Sequence, residues 1–213
     1  MKTFFINNKS DKLIVFFCGW AMDEKPFECL SSENFDVLFV YDYSSLDLDF
    51  DFSNHKAFYL IAFSYGVFIA QLTKNLPPFI YKLAINGTLK PIDKICGINP
   101  KIFEMTLSAI SEESIIKFYS KMFDNDLDYE YFLNHMPSRE SASCKLELEK
   151  IKEYSLELKE AAFEYDETII SSSDKIFPAK SQINYWSFSK VTNVEAGHFL
   201  FYKYKTFDEI MSL

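Results

Sequence analysis

Four stretches of this chain are dominated by apolar residues, with charges only at Asp36, Asp42 and Lys82: 13–18 (LIVFFC), 36–42 (DVLFVYD), 57–63 (AFYLIAF) and 79–85 (FIYKLAI). None alternates, so none suits a strand with one face in water. Unbroken apolar runs of this length belong to strands buried on both faces, as in a parallel sheet covered by helices. Each run stops at a turn or switch point: Gly19, Asp42, Ser64, and Asn86-Gly87. After Gly66 the segment 67–75 (VFIAQLTKN) predicts a helix that Pro77-Pro78 terminates.

At about Thr88 the texture changes. From there to about Tyr165 the periodicity is helical and no strand is expected. The segment 111–123 predicts a helix capped by Ser111, with Glu112 and Glu113 near its positive end. The segment 145–162 (KLELEKIKEYSLELKEAA) aligns Leu148, Ile151, Tyr154, Leu158 and Ala162 along one face, and its charged flank reads as solvated. Strand character returns at 168–173 (TIISSS), followed by a helix over 179–186, a short strand over 190–194, the loop EAGHF and a closing helix over 204–213. The expected architecture is one α/β domain over 1–213 with a mostly parallel sheet covered by helices. A helical cap is inserted at approximately 88–165.

The 213 residues fit one such domain, and the 48% hydrophobic and 18% aromatic content is far from that of a disordered chain. The formal net charge of −9 argues against general nucleic-acid binding, which needs a basic face. Cys18, Cys29, Cys96 and Cys144 are widely spaced with no CxxC pair, so neither a zinc cluster nor a redox motif is readable. No Walker motif, GxGxxG or paired-carboxylate spacing points to a cofactor or metal. The N-terminus lacks a signal-peptide core, and no run approaches the ~18 apolar residues of a membrane span. A cytoplasmic protein with reduced thiols is expected.

Ser64 carries the chemistry. It stands where an apolar strand meets a helix, in Ala62-Phe63-Ser64-Tyr65-Gly66. A nucleophile at such an elbow needs small residues two before and two after, because the strand doubles back sharply into the helix. A hydroxyl also needs a base. Of three histidines, His55 precedes the third run, at the wrong end of the sheet, and His135 lies in the helical insertion. His198 follows the last strand, where its loop would hang over Ser64 at the C-terminal edge of the sheet. The imidazole needs a carboxylate to fix its tautomer. Asp174 follows a strand and falls between Ser64 and His198, the chain order expected of this fold. Its rivals Asp166 and Glu167 precede that strand and would lie at the opposite edge. Oxyanion donors are expected from the amides of Tyr65 and of Trp20, in the CGWAMD loop that Gly19 allows to turn tightly.

With these residues placed, FFCGWAMD (16–23), YDYSSLD (41–47), AFSYGV (62–67), SSSDKIFP (171–178) and AGHF (196–199) together resemble the BioG-type pimeloyl-[acyl-carrier protein] methyl ester esterases of the α/β-hydrolase superfamily. The resemblance runs from about Leu13 to the C-terminus. It implies Ser64 as nucleophile, Asp174 as acid, His198 as base, and Trp20 and Tyr65 at the oxyanion hole. It also implies a methyl ester of pimeloyl-acyl-carrier protein as substrate, in biotin synthesis. Cys18 stands where hydrolase oxyanion loops often carry His, and Ala62 replaces the first elbow Gly; neither change removes a catalytic atom. The triad alone is equally compatible with a generic carboxylesterase or thioesterase, and the fold with a binding module that has lost catalysis.

Acyl-carrier proteins are generally acidic, so a chain at −9 would need a local basic dock. Segment 88–125 balances Lys90, Lys94, Lys101, Lys117 and Lys121 against five acids. Segment 126–167 holds twelve acids and five bases, which makes it a poor dock. Lys117 and Lys121, four apart, share a helix face.

Overall fold

The computed structural model describes residues 1–158 and 163–212. Seven strands form one sheet: β1 (Lys2–Ile6), β2 (Lys12–Phe17), β3 (Asp36–Tyr41), β4 (Ala57–Phe63), β5 (Tyr81–Ile85), β6 (Glu167–Ser171) and β7 (Val191–Val194). Their order is β1-β3-β2-β4-β5-β6-β7, with β1 antiparallel to β3 and every other pair parallel. The apolar runs read from the sequence are β2 to β5, and Leu13 to Phe17 are fully buried, as two-sided burial requires. Phe16 packs against Phe27, Phe39, Phe201 and Phe207 at ring-centroid distances from 4.8 to 5.8 Å. Burial of one such side chain is worth about 1.5–3 kcal/mol.

β1 was not among the expected strands. KTFFI lies at the sheet edge with Phe4 and Phe5 about 40% exposed, so it lacks the closed apolar texture of the central strands. Helix α1 (Tyr65–Ala70) is shorter than expected. The Thr73 hydroxyl donates to the Ile69 carbonyl, and turns with Asn75 at φ 61° carry the chain back toward β5. This diversion ends the helix before Pro77.

Between β5 and β6 the chain forms α2 (Pro100–Ser108), α3 (Glu112–Ser120), α4 (Asp126–Leu133) and α5 (Ser141–Glu157). α3 begins at Ser111 as expected, in a reciprocal capping box with Ser114. α5 starts four residues before the expected helix, and the Ala162 end of that stripe lies outside the described residues. Leu148 and Ile151 are buried as the stripe required. Its charged flank is not all solvated: Glu147 is completely buried. The chain then closes with α6 (Ala179–Tyr185) and α7 (Phe207–Met211), the latter capped by Thr206 and shorter than the helix expected over 204–213. None of the helices described is long and apolar enough to cross a membrane.

Gly66 shows why the elbow demands small residues. A Cβ there would lie 2.5 Å from the Phe17 carbonyl oxygen and 2.6 Å from that of Cys18. Both are backbone atoms of the neighbouring strand end and cannot swing aside. Gly66→Ala is therefore expected to cost about 1–3 kcal/mol, read as a lower urea midpoint. An unchanged midpoint would mean that α1 can shift away from β2 freely.

Candidate active site

A residue with positive φ follows each of β2, β3, β4 and β5: Ala21 (62°), Asp42 (60°), Ser64 (57°) and Asn86 (50°). None is glycine, and such conformations gather where a fold holds functional groups under strain. Ser64, at ψ −123°, joins β4 directly to α1. Its amide donates to the Ile85 carbonyl (2.8 Å), which ties the elbow to β5. Ala62 sits between Phe17 of β2 and Ala84 of β5 in the sheet register.

Three side chains predicted from separate segments of the sequence, Ser64, Asp174 and His198, meet here. His198 Nε2 lies 3.0 Å from Ser64 Oγ, and His198 Nδ1 lies 2.7 Å from Asp174 Oδ2. All three residues are buried. Asp174 stands three residues beyond the end of β6, in a turn that aims it inward. Its Oδ1 accepts the amides of Ile176 and Phe177 (both 2.8 Å), while Oδ2 also accepts Gln182 Nε2 (3.1 Å). Four donors thus hold the carboxylate in place. Asn86 fixes the histidine loop from below: its Nδ2 donates to the His198 carbonyl (2.7 Å) and to Ser171 Oγ (2.8 Å), and its Oδ1 accepts the Ser171 amide. The Phe63 ring packs on the imidazole with centroids 4.9 Å apart.

The alternatives weighed from sequence lie elsewhere. His55 is buried against Asp36 (Nε2 to Oδ2, 2.9 Å), just before β4 begins. His135 stacks on Tyr131, 4.2 Å between centroids. Asp166 is exposed at the start of β6 and accepts the Lys82 amide (2.8 Å). Glu167, the first residue of β6, accepts Lys190, Thr192 and Tyr81.

Trp20 follows β2 in the turn Gly19–Met22, which the Met22 amide closes on the Gly19 carbonyl (3.3 Å). A Cβ on Gly19 would come within 3.3 Å of Ser64 Cβ, so this loop abuts the elbow. Among the described residues, the backbone amides of Trp20 and Tyr65 have no intramolecular acceptor outside helix and strand ladders. Both residues line a cavity of about 380 Å³, together with Ile102, Phe103, Phe118 and Leu148. Lys117, Lys121 and Lys175 contribute to its lining. Lys117 is paired with Glu113 (2.6 Å); among the described residues, Lys121 and Lys175 have no ion-pair partner. Lys90, Lys94 and Lys101 are exposed and stand outside that lining.

Asn86, Gln182 and Lys175 were missed by the sequence reading. From sequence Asn86 reads only as the end of a strand, and no local pattern distinguishes Gln182. Lys175 was visible only as the neighbour of Asp174.

The family model described as pimeloyl-ACP methyl esterase BioG matches residues 1–210 of this chain. A crystal structure of BioG from Haemophilus influenzae superimposes with a TM-score of 0.92 at 30% identity, covering 98% of this chain and 99% of that one. A Bacteroides fragilis protein named malonyl-[acyl-carrier protein] O-methyltransferase is 39% identical over 176 residues; the match spans 81% of this chain but only 36% of that longer protein. An esterase from Exiguobacterium antarcticum (14% identity, TM-score 0.64, 99% and 91% covered) and human thioesterase 2 (16%, 0.58, 94% and 92% covered) share the fold. The fold is that of the α/β-hydrolases, and the chain belongs to the BioG family of pimeloyl-ACP methyl esterases.

Proposed function

We propose that this hydrolase cleaves the methyl ester of pimeloyl-acyl-carrier protein, with Ser64 as nucleophile. The observation that carries the reading is the continuous chain Ser64 Oγ, His198, Asp174, with spacings of 3.0 and 2.7 Å, beside a largely apolar cavity. His198 Nε2 takes the Ser64 proton as Oγ attacks the ester carbonyl. The imidazolium is held by Asp174, and the tetrahedral oxyanion by the amides of Trp20 and Tyr65. Collapse expels methoxide, which leaves as methanol with the proton from His198. Water, deprotonated by the same imidazole, then attacks the acyl-enzyme and frees the carboxylate and Ser64. Each such oxyanion donor is worth about 2.7–4 kcal/mol.

The B. fragilis relative supports the same substrate class. Its name describes methylation of a carrier-bound acid, and part of its chain resembles this one. O-methylation at a carboxylate creates a methyl ester, the kind of bond that the proposed reaction hydrolyses. The helices α2 to α5 act as a cap within a single domain, the carrier protein is the macromolecular partner, and the reaction belongs to the cytoplasm.

Turnover of pimeloyl-acyl-carrier protein methyl ester, compared with a short free ester, tests this reading. A kcat/KM no higher for the carrier-bound ester would favour a generic carboxylesterase or thioesterase, the activity its wider structural relatives carry in their names. Absence of turnover on both would leave a binding module. Lys117→Glu with Lys121→Glu addresses the carrier. Charge reversal beside the cavity should lower kcat/KM for the carrier-bound ester by about 10-fold at low salt, and added salt should narrow the loss. The small ester should change much less. Equal losses on both substrates would assign the lysines to cap stability instead.

A further inference from the structure

The helical insertion grips the oxyanion-side loop at every residue from Trp20 to Asp23. The Trp20 indole donates to the Cys144 carbonyl (2.7 Å), and the Tyr119 hydroxyl to the Ala21 carbonyl (2.7 Å). Arg139 donates to the Met22 carbonyl (3.0 Å), and the Ser138 amide to Asp23 Oδ2 (2.6 Å). The remaining bond is the unusual one. The Ala21 amide donates to Glu147 Oε2 (3.2 Å), a carboxylate on α5 with no solvent exposure.

Ala21 needs such a partner. At φ 62° it has the sign expected at the third position of a type II turn, where glycine is normal. For a residue with a Cβ the left-handed conformation costs about 1–2 kcal/mol. The Glu147 carboxylate accepts the amide that this conformation turns toward it, and the Tyr119 hydroxyl holds the carbonyl of the same residue. Two further donors complete the carboxylate: the Tyr43 amide on Oε1 (3.1 Å) and Arg139 on Oε2 (3.1 Å). Arg139 also reaches Asp42 (3.5 Å), itself paired with Lys2 (3.1 Å). Burial pushes the Glu147 carboxyl up to about 6 against the pull of Arg139, and the three donors that converge on its oxygens suit the acceptor-only carboxylate.

We propose that Glu147, backed by Arg139, is a positioning residue for the oxyanion hole: from the insertion it locks Ala21 in its left-handed turn and thereby aims the adjacent Trp20 amide at the carbonyl on Ser64. This rests on the Ser64 hydrolase reading above. The insertion is then the outer wall of the catalytic apparatus as well as a cover for the acyl chain. It cannot lift away as a rigid lid without releasing the turn beside Ser64.

Glu147→Ala is the direct test. It removes both carboxylate oxygens, so the Ala21 and Tyr43 amides and Arg139 lose this acceptor together. Endpoint labelling with a fluorophosphonate counts functional sites, and kcat is expressed per labelled site, which removes any loss from misfolded protein. The expected result is kcat about 10- to 100-fold lower with KM within about 2-fold, less than loss of a whole donor. A trifluoromethyl ketone, which forms an oxyanionic hemiketal on Ser64, should bind weaker by the same factor. Tyr119→Phe removes only the hydroxyl on the Ala21 carbonyl and should shift both quantities in the same direction by a smaller factor. A wild-type kcat per labelled site in both variants would overturn the proposal. So would a raised KM with kcat unchanged, which would assign Glu147 to the acyl cavity. Failure of the wild-type protein to label at Ser64 would instead strike the hydrolase reading itself.

Discussion

Replacing Ser64 by alanine is expected to remove turnover by roughly 10⁶-fold while leaving the fold intact. Both residues carry a Cβ, so the positive φ of the elbow is no more strained for Ala than for Ser. Among the described residues the hydroxyl makes one side-chain hydrogen bond, to His198. Its loss leaves Nε2 of a buried imidazole without that partner, a cost of about 1–3 kcal/mol that a domain of this size tolerates. A fluorophosphonate should label the wild-type protein at Ser64 and leave the variant unmarked. Adduct formation at another serine, or residual turnover in the variant beyond a few per cent, would sink the nucleophile assignment.

Asp174→Asn should be the next most damaging substitution, at about 10⁴-fold in kcat. The direction follows from the donors around the carboxylate. Oδ1 accepts two backbone amides, so the asparagine oxygen must take that place. Its NH2 then faces His198 Nδ1 and Gln182 Nε2, where Oδ2 had been the acceptor. The imidazole answers by carrying its proton on Nε2, the nitrogen that must receive the one from Ser64. The base is present and in the wrong tautomer. Asp166→Asn is the control: that carboxylate is exposed and, among the described residues, accepts only the Lys82 amide, a role the asparagine carbonyl keeps. Its kcat should match wild type within about 2-fold. If the two variants exchanged phenotypes, the acid would have to be sought at the other edge of the sheet.

The central sheet was legible because two-sided burial writes itself into β2 to β5 as unbroken apolar runs. Ser64, Asp174 and His198 could be singled out because a parallel sheet sends its strand ends to one edge, which leaves few residues of the needed chemistry there. What escaped depends on contacts between distant segments. β1 borrows its order from β3 and carries little apolar signal of its own. α1 ends where tertiary turns require, although its residues would support more helix. Glu147 stands in KLELEKIKE, where periodicity cannot separate it from the half-buried Glu149 and the exposed Glu153. Only the packing of α5 on the loop after β2 and on Arg139 makes it a buried acceptor. Asn86 escaped for the same reason, since its partners Ser171 and His198 are 85 and 112 residues away; Gln182 bonds Asp174 and Phe177 close by, but no local pattern marks it.

The position of the helical insertion between two adjacent strands also bears on how the protein is made. β5 and β6 are neighbours in the sheet, yet the paired residues Lys82 and Asp166 are 84 apart in the chain, and Ser64 and His198 are 134 apart. Closing loops of this length carries an entropy cost before any contact repays it, so these pairings form late. On a ribosome the strands through β5 emerge first, with Ser64 already in their sequence and neither Asp174 nor His198 yet synthesised. On the proposed mechanism a partial chain has a hydroxyl and no base, and any truncated product ending before His198 should be inert toward esters. Competence arrives only when the last strands dock. Recovery of esterase activity during refolding thus reports completion of the whole sheet, and should lag behind the burial of the aromatic core around Phe16.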